Sequence, residues 1–379
     1  MSQSYSLYLP SYTIGPDCYK EIPAIVKRYG KKIVLVGGKT ALFVATEAIQ
    51  EGIAGSDLEI IGSEWFGGDA TYENVDMLMA KESVQAADMI FGVGGGRAAD
   101  CCKVLADKLG KPLFNFPTLA SNCASSTALC VMYKPDGSMA GYYYRQRCCD
   151  HIFINTKIIA ESPEKLFWAG IGDAMSKEFE VKLATRGVDL FHTPLMGQAV
   201  AYACANPLLQ YGKQALEDCR NNVVSNAINE TALDIIITTG IVSNLVIGGP
   251  KYYYNASLAH CFYNSYTKLP QAHKHLHGEV VSFGVLVLLT CDNDPDRDKI
   301  AKFHKELGLP VTLAEIECSP EDVEVILDDC PHHLDWSKTP YEMTKEKFRK
   351  AIFDMDAYGK TLYNFPYKQK TPEREFFIF

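Results

Sequence analysis

The sequence predicts a two-domain chain, with an amino-terminal α/β domain built on a parallel sheet and a carboxyl-terminal domain made of helices. Three observations support this prediction. The 379 residues exceed the size at which a single hydrophobic core stops growing. Strand and helix patterns alternate through the first part of the chain, and strand patterns almost vanish after Ser162. We therefore expect domains at residues 1–161 and 162–379, with a cleft between them.

The first strand–turn–helix unit begins at Lys31. The segment KKIVLVGG is an apolar strand closed by a glycine turn, and Leu42, Ala45 and Ile49 follow at helical spacing. Further strand patterns occur at residues 58–61, 89–93 and 111–118, and a further helix pattern occurs at residues 97–109. Alternating strands and helices predict a parallel sheet covered by helices on both faces. Ligands of such sheets gather at the carboxyl ends of the strands.

The pattern changes between Cys123 and Asn155. Two extended pieces flank the turn signal Pro135-Asp136-Gly137, and the segment HIFIN follows as a returning strand. This predicts a hairpin inserted before the sheet resumes. Ser162-Pro163 then predicts a helix start, with serine as the cap and proline as the first helical residue. We expect helices from there to the end, and read the acidic residues 315–329 as a solvated helix face.

Charge and hydropathy restrict the classes of partner. The chain carries 37 basic and 46 acidic residues, a formal net charge of −9, without a long run of either sign. We expect no nucleic-acid partner, because binding phosphates requires a clustered basic face. The segment MSQSYSLYLPSYTIG lacks the basic and apolar regions of a leader, and no apolar run reaches the ~18 residues of a membrane span. We therefore expect a cytoplasmic protein without a membrane segment.

The thirteen cysteines predict reduced thiols rather than disulfides. Their number is odd, and two pairs are adjacent, at residues 101–102 and 148–149. The sequence contains no C-x-x-C motif, which argues against a thiolate zinc site or a dithiol redox centre. We expect small buried or half-buried side chains.

The glycine turn Gly92-Val93-Gly94-Gly95-Gly96 indicates a nucleotide site. It follows an apolar strand and opens a helix, where backbone N–H groups can bind a diphosphate that a β-carbon would keep away. A tight turn without a ligand is the alternative. The spacing is not G-x-G-x-x-G, so the ordinary Rossmann motif is absent. Asp100 and Lys103 share a face of the following helix, either beside the cofactor or at the surface.

Three residues form a candidate metal site, although they are far apart in the sequence. Asp173 lies in WAGIGDAMSKEFE, His260 in NASLAHCFYNS and His277 in HKHLHGEVVSFG. One carboxylate and two imidazoles from separate helices can bind a divalent metal and leave a position open for an alcohol oxygen. Hydrogen-bonded core histidines are the alternative. We expect His273 and His275 to be solvated neighbours of His277.

Together these segments resemble a known family. GVGGGRAADCCK, NFPTLASNCASSTALCVMY, INTKIIAESPEKLFWAGIGDAMSKEFE, and AHCFYNS with HLHGEVVSFG are similar in order and spacing to the glycerol dehydrogenase branch of the iron-containing alcohol dehydrogenase and dehydroquinate synthase-like superfamily. They span residues ~30 to ~290. The resemblance implies a metal-dependent NAD(P) oxidoreductase that acts on CH–OH groups. The substrate would be a small alcohol or ketone, either a polyol or a 2-hydroxycarboxylate, and the assembly a homo-oligomer.

The resemblance also assigns residues. Asp173, His260 and His277 match the metal ligands. The positions matching cofactor contacts are Gly94, Gly95, Gly96, Asp100, Lys103, Thr118, Leu119 and Ser121, together with Leu129, Val131 and Tyr133 of the hairpin.

The first departure from the family concerns the metal. Lys177 stands where the iron-using branch has a fourth ligand, a histidine, and this favours zinc over iron. We expect Lys177 either to contact an anionic substrate or to pair with Glu178 or Glu180.

Two further departures concern the substrate and the cofactor. Asn122 stands where the glycerol enzymes carry an aspartate, which weakens glycerol as the substrate and favours a carboxylate or a ketone. The turn Gly37-Gly38-Lys39 lacks the acidic residue common in NAD-preferring relatives, and Lys39 can attract a 2′-phosphate. NADP is therefore plausible beside NAD.

Two alternative functions stay open. A lyase of the dehydroquinate synthase type would use NAD transiently and would need a basic phosphate pocket, but lysine and arginine are not dense around residues 260–277. The other alternative is a non-catalytic nucleotide-binding protein, against which the complete ligand set argues. For the oxidoreductase, the candidate proton acceptors are His273 and a metal-linked water, and the candidate substrate contacts are Asn122, Lys177 and His273.

Overall fold

Eight strands form two sheets. The computed structural model describes residues 5–249 and 251–364. The strands are β1 (Tyr12–Ile14), β2 (Lys32–Gly37), β3 (Glu59–Trp65), β4 (Met89–Val93), β5 (Leu113–Phe116), β6 (Leu129–Tyr133), β7 (Met139–Tyr144) and β8 (His151–Ile154). Six of them pair in parallel in the order β1-β8-β5-β4-β2-β3, and β6 and β7 form an antiparallel hairpin. The parallel sheet and the inserted hairpin are therefore confirmed.

The helices follow the predicted order. They are α1 (Ile22–Val26), α2 (Lys39–Ile53), α3 (Tyr72–Met79), α4 (Glu82–Ala86), α5 (Gly96–Leu109), α6 (Thr156–Ala160), α7 (Glu164–Thr185), α8 (His192–Ala201), α9 (Ala205–Arg220), α10 (Asn226–Leu233), α11 (Thr239–Val246), α12 (Leu258–Tyr266), α13 (His277–Cys291), α14 (Arg297–Leu307), α15 (Pro320–Asp329) and α16 (Lys345–Asn364). A π-helical segment, Asp234–Thr238, joins α10 to α11.

The second half is helical. After β8 the described elements are helices, apart from one isolated bridge between Ile247 and Tyr253. The boundary at residues 161/162 stays a prediction. In the described ranges, each helix is too short or too polar to span a membrane.

The burial of the strand residues explains how the parallel sheet is packed. All residues of β4, β5 and β8 are buried, as expected for parallel strands covered on both faces. On one face, the rings of Phe91, Phe116 and Phe153 stack with centroid distances of 4.6 and 5.0 Å. The core on the other face continues into the helical half, where it includes Phe167 and Phe283.

Two local expectations need correction. The edge strand β1 was not predicted, because its three residues are exposed or half-buried and carry no apolar pattern. The prediction of Ser162 as a helix cap is wrong, because α7 begins at Glu164 and Pro163 occupies the cap position in an extended conformation. The hydroxyl of Ser162 is buried without a hydrogen-bond partner.

The acidic residues of α15 are exposed or half-buried, as expected.

His304 on α14 makes the protein sensitive to acid. Its side chain is fully buried, and neither ring nitrogen has a partner among the described residues. Burial lowers the pKa of His304 to about 3. Below its ordinary pKa of ~6.5 the unfolded chain binds this proton while the folded chain does not, so stability falls with falling pH.

We therefore expect His304 alone to lower the free energy of unfolding by about 2 kcal/mol between pH 7 and pH 5. Urea denaturation at both pH values should show a smaller loss for His304→Leu than for the wild type. His332→Leu, at an exposed histidine, is the control and should keep the wild-type difference. An unchanged difference in His304→Leu would contradict the prediction.

Candidate metal centre and cofactor cleft

Three donor side chains from α7, α12 and α13 come together. One ligand atom each of Asp173, His260 and His277 lies within 4.8 Å of the other two. Oδ1 of Asp173 is 3.0 Å from Nε2 of His277 and 3.7 Å from Nε2 of His260. The structure thus brings the three predicted residues to one point. Their role as metal ligands stays a proposal.

Close helix packing holds two of these donors together. A β-carbon on Gly172 would lie 2.6 Å from the carbonyl oxygen of Gly278, and one on Gly278 would overlap the carbonyl oxygen of Ala169. Both positions therefore require glycine. Since Asp173 follows Gly172 and His277 precedes Gly278, the contact between α7 and α13 places their side chains side by side.

Glu180 is a functional candidate that sequence reasoning missed. It is fully buried, and its Oε2 lies 2.6 Å from Nδ1 of His260. Burial pushes the pKa of Glu180 upward, but His260 and backbone N–H groups outweigh burial and lower it, so the group is a carboxylate. Glu180 lies seven residues after Asp173 and hence on the same face of α7, a spacing that could have identified it.

The negative charges of Asp173 and Glu180 favour a cation between them, either a proton on His260 or a metal ion in its place. Burial raises the pKa of Asp173, but His277 and His260 outweigh burial, and the net shift is downward. Burial lowers the pKa of His260, but Glu180 outweighs this and raises it to about 9. The ring of Tyr263 packs edge-on against His277 at 4.2 Å, and burial raises its pKa to about 12. Tyr263 therefore stays protonated at neutral pH.

Lys177 lies one turn after Asp173. It is buried, and its Nζ donates to Oδ1 of Asn255 at 2.7 Å and to the Asn255 carbonyl at 3.3 Å. The expected pairing with Glu178 or Glu180 is wrong. Glu178 accepts from the backbone of Ala205, and Glu180 is held by His260. Among the described residues, no carboxylate lies within ion-pair distance of Lys177.

A cleft joins the glycine turn to the metal candidates. Its volume is about 400 Å³. The predicted residues that line it are Gly94, Gly95, Gly96, Leu119, Ser121, Asn122 and His277. Sequence reasoning did not assign Phe66, Leu166 and Leu276, which also line it. Gly94 has a φ of 144°, which favours glycine, and α5 begins at Gly96 with its first backbone N–H groups at the cleft.

Asp100 and Lys103 are not surface residues, which was one of the two positions expected for them. Both are buried and form an ion pair of 2.8 Å, and neither lines the cleft. Lys103 donates to the carbonyl of Leu129 at 2.5 Å, and Oδ2 of Asp100 accepts from the N–H of Val131 at 3.1 Å. The pair therefore fastens α5 to β6, and a direct contact of Asp100 with the cofactor stays a prediction without support from the cleft.

The remaining hairpin positions share a strand face. Leu129, Val131 and Tyr133 alternate along β6 and are half-buried. The ring of Tyr133 lies 4.8 Å from the guanidinium of Arg97, at the start of α5. Leu129 lines a separate cavity of about 430 Å³ that also includes Ser243. Only the far end of this face therefore approaches the glycine turn.

Thr118 and the two extra histidines lie outside the cleft lining. Thr118 is buried just after β5. His273 is exposed, with Nδ1 2.7 Å from the carbonyl of Pro270, so its predicted roles toward substrate and proton gain no support. The prediction that His275 is solvated is wrong, because its side chain is buried and pairs with Glu279 at 2.9 Å.

Lys39 stands at the start of α2, just after the carboxyl end of β2. Its Nζ lies 4.6 Å from the centroid of the Trp65 ring, at the carboxyl end of the neighbouring strand β3. Gly38 beside it lines the cleft. Trp65 was not predicted as a site residue, because neighbouring strands meet only in the folded sheet.

Comparison with known proteins identifies the family. The family model for iron-containing alcohol dehydrogenases matches residues 10–156. The chain is 29% identical over 360 residues to a glycerol dehydrogenase of Thermotoga maritima, covering 92% of this chain and 96% of that protein. It is 34% identical over 254 residues to hydroxycarboxylate dehydrogenase A of Escherichia coli, covering 66% and 69%.

A solved structure confirms the fold. The crystal structure of glycerol dehydrogenase from Schizosaccharomyces pombe superposes with a TM-score of 0.83 at 23% identity, covering 96% of this chain and 93% of that one. The predicted resemblance is therefore confirmed: the chain belongs to the iron-containing alcohol dehydrogenase family, in its glycerol dehydrogenase-like branch.

Proposed function

We propose that this chain is a metal-dependent NAD(P) oxidoreductase that transfers a hydride between nicotinamide and a small alcohol or ketone. The observation that carries this proposal is the cleft, because one cavity is lined both by the glycine turn and by His277. A diphosphate bound by the first N–H groups of α5 would leave the rest of the cofactor in the cavity that reaches His277, one of the three donors. The relatives' dehydrogenase names also favour this function over a lyase.

The donor set fits a divalent metal. One carboxylate oxygen and two imidazole nitrogens converge, which suits zinc or iron. Zinc is our choice, because Lys177 stands where iron-using relatives have a fourth ligand and its ammonium is tied to Asn255. A bound divalent ion would act as a Lewis acid toward negative charge on the substrate oxygen.

The chain's own residues position the reactants. The N–H groups at Gly95 and Gly96 would hold the cofactor's diphosphate, and Leu119 and Ser121 would border its nicotinamide half, as the resemblance implies. Since Leu119 and Ser121 line the same cavity as His277, they would hold the ring near this metal candidate. This arrangement supplies proximity and orientation.

The substrate class we propose is a 2-hydroxy or 2-oxo carboxylate rather than glycerol. Oδ1 of Asn122 accepts from the N–H of Ala124 at 3.0 Å, so the Nδ2 donor is left for other partners beside Gly96. An amide donor favours an oxo or carboxylate oxygen, whereas an aspartate would accept from a polyol hydroxyl. The buried ammonium of Lys177 adds a positive charge without a carboxylate partner.

For the cofactor, we propose a preference for NADP. Lys39 begins α2 beside Gly38, where an acidic residue would repel a 2′-phosphate, and its ammonium lies over the Trp65 ring. A cation–π contact limits the orientations of the ammonium. The Trp65 ring thus holds the ammonium of Lys39 beside the cleft residue Gly38, where it would bind the 2′-phosphate of NADP.

Lys39→Asp should reverse the cofactor preference. The variant loses a charge-assisted contact worth about 1.5–3 kcal/mol and gains repulsion, so the ratio of kcat/KM for NADPH over NADH should fall about a hundredfold. Initial rates with both cofactors measure this ratio. Lys302→Asp, an exposed position on α14, should leave it unchanged. An unchanged ratio of kcat/KM in Lys39→Asp would show that Lys39 does not contact the 2′-phosphate.

The overall function is tested by a spectrophotometric screen. NADH and NADPH are offered with 2-oxo acids, aldehydes and ketones, and the oxidised cofactors with polyols and 2-hydroxy acids, using zinc-loaded protein. We expect stoichiometric consumption of cofactor, fastest with 2-oxo acids. Turnover of a sugar phosphate with phosphate release and no net cofactor consumption would favour the lyase. No turnover and no metal-dependent cofactor binding would favour a non-catalytic nucleotide-binding protein.

We extend the proposal to a cytoplasmic homo-oligomer. All thirteen cysteines are free thiols, which fits a reducing compartment. Large apolar side chains are exposed at Leu9, at Phe191 just before α8 and at Leu195 on α8. Covering such side chains by a second copy would remove apolar surface from water.

A further inference from the structure

We infer that Glu180 is a positioning residue that fixes the tautomer of His260, so that Nε2 keeps its lone pair for a metal ion. This inference rests on the proposed metal function, and it concerns a residue to which neither the sequence patterns nor the family resemblance gave this role. The contacts of the buried Glu180 carboxylate support this role.

The first contact determines which ring nitrogen of His260 carries the hydrogen. Oε2 of Glu180 lies 2.6 Å from Nδ1 of His260. An ionised carboxylate can only accept, so Nδ1 must carry the hydrogen. A metal ion binds the neutral imidazole, which has one N–H, so a hydrogen held on Nδ1 would leave the lone pair of Nε2 for an ion beside Asp173, whose Oδ1 is 3.7 Å from Nε2.

The second set of contacts fixes the carboxylate itself. Oε1 of Glu180 accepts from the backbone N–H groups of Ser257 and His260, both at 2.9 Å. These groups lie at the start of α12, where Ser257 makes no side-chain cap. Glu180 therefore replaces the missing cap of the helix that carries His260, and the same side chain orients the His260 ring.

Helix α7 acts on two of the three candidate ligands. Asp173 and Glu180 lie two turns apart on α7, so this helix supplies one ligand directly and orients another. In the described part of the chain, Nδ1 of His277 has no comparable carboxylate partner. In the described residues, a carboxylate therefore fixes the tautomer of His260 but not that of His277.

Glu180→Gln separates this role from a merely structural one. The glutamine oxygen can still accept from the two backbone N–H groups, so the start of α12 is preserved. The amide nitrogen then faces Nδ1 and donates to it, which moves the imidazole hydrogen to Nε2 and removes the lone pair. An isosteric change should thus weaken metal binding about 10- to 100-fold without unfolding the protein.

The experiment measures zinc affinity by calorimetry on metal-stripped full-length protein, with melting temperature of the metal-free forms as the fold readout. We expect Glu180→Gln to lose affinity while its metal-free melting temperature stays near the wild-type value. Glu180→Asp keeps a pure acceptor and should recover part of the affinity. Glu178→Gln, on the same helix but bonded to the Ala205 backbone, should bind zinc like the wild type.

Nitrogen NMR of zinc-loaded wild type, labelled at histidine, supplies an independent readout. We expect the His260 hydrogen on Nδ1. Wild-type affinity in Glu180→Gln, or a hydrogen on Nε2 in the wild type, would overturn the inference while leaving the metal site intact. If wild type binds zinc no more tightly than Asp173→Ala does, the proposed metal function itself fails, and the inference fails with it.

Discussion

In the Asp173→Ala variant, we expect bound zinc to fall below about a tenth of the wild-type content and kcat/KM to fall by on the order of a thousandfold. Asp173 supplies the only carboxylate of the three donors, and its Oδ1 lies 3.0 Å from Nε2 of His277 and 3.7 Å from Nε2 of His260. Without it, two histidines remain to hold a divalent ion. Losing several kcal/mol of charge stabilisation at the substrate oxygen corresponds to the expected loss of rate.

Metal analysis and initial rates measure this outcome together. Asp189→Ala, at an exposed position just beyond α7, is the matched control and should keep both metal and rate. Asp173→Asn tests charge separately from shape, and it should resemble the alanine variant because an amide is a poor metal ligand. Full metal content with full turnover in Asp173→Ala would show that the metal site lies elsewhere.

Lys177→Met should change substrate preference more than overall activity. We expect kcat/KM for 2-oxo acids to fall about a hundredfold, while uncharged aldehydes change by no more than a few-fold. A charge-assisted hydrogen bond contributes about 1.5–3 kcal/mol, and this bond would be made in a buried place. Among the residues that the structure describes, the ammonium of Lys177 has Asn255 as a partner but no carboxylate within ion-pair distance, so we expect its charge to favour such a bond.

Steady-state rates with matched acids and aldehydes measure this difference. Lys182→Met, on the same helix, removes a partly exposed lysine that lies near Asp294 and should spare both substrate classes. An equal loss for acids and aldehydes would assign Lys177 a structural role through Asn255. An unchanged preference would remove the argument for a carboxylate substrate.

Asp173 and Lys177 are proposed to act on different groups of the substrate. Asp173 would belong to the donors at the reacting oxygen, whereas Lys177 would bind a carboxylate beside it. Lys39, next to the cleft residue Gly38, would contact the cofactor. The proposed contacts to metal, substrate and cofactor therefore involve separate side chains, which allows each to be tested by one substitution.

Much of the fold could be predicted from the sequence, because local patterns encode it. The buried strand β4 is a continuous apolar run, β5 is apolar apart from Asn115, and the hairpin turn carries Pro135-Asp136-Gly137. The edge strand β1 escaped prediction, because a short half-exposed strand has no pattern and gains its hydrogen bonds only from β8.

The site was predictable to a lesser degree. The glycine turn was identified because backbone geometry demands glycine there, and Asp173, His260 and His277 were assigned by resemblance. The surroundings of charged residues were not predictable. Asp100 and Lys103 form a buried pair that fastens α5 to the hairpin, which sequence spacing cannot distinguish from a surface pair.

The sequence by itself determined the two-part architecture and the glycine turn, because these depend on periodicity and backbone conformation, and it identified the three metal-ligand candidates through their resemblance to family motifs. Only the tertiary structure decided that Glu180 orients His260, that Lys177 is bound to Asn255, and that Trp65 lies under Lys39. Each of these contacts joins separate elements of the fold. Packing between helices and strands sets such distances to within an ångström or so, and one-dimensional spacing carries no information about them.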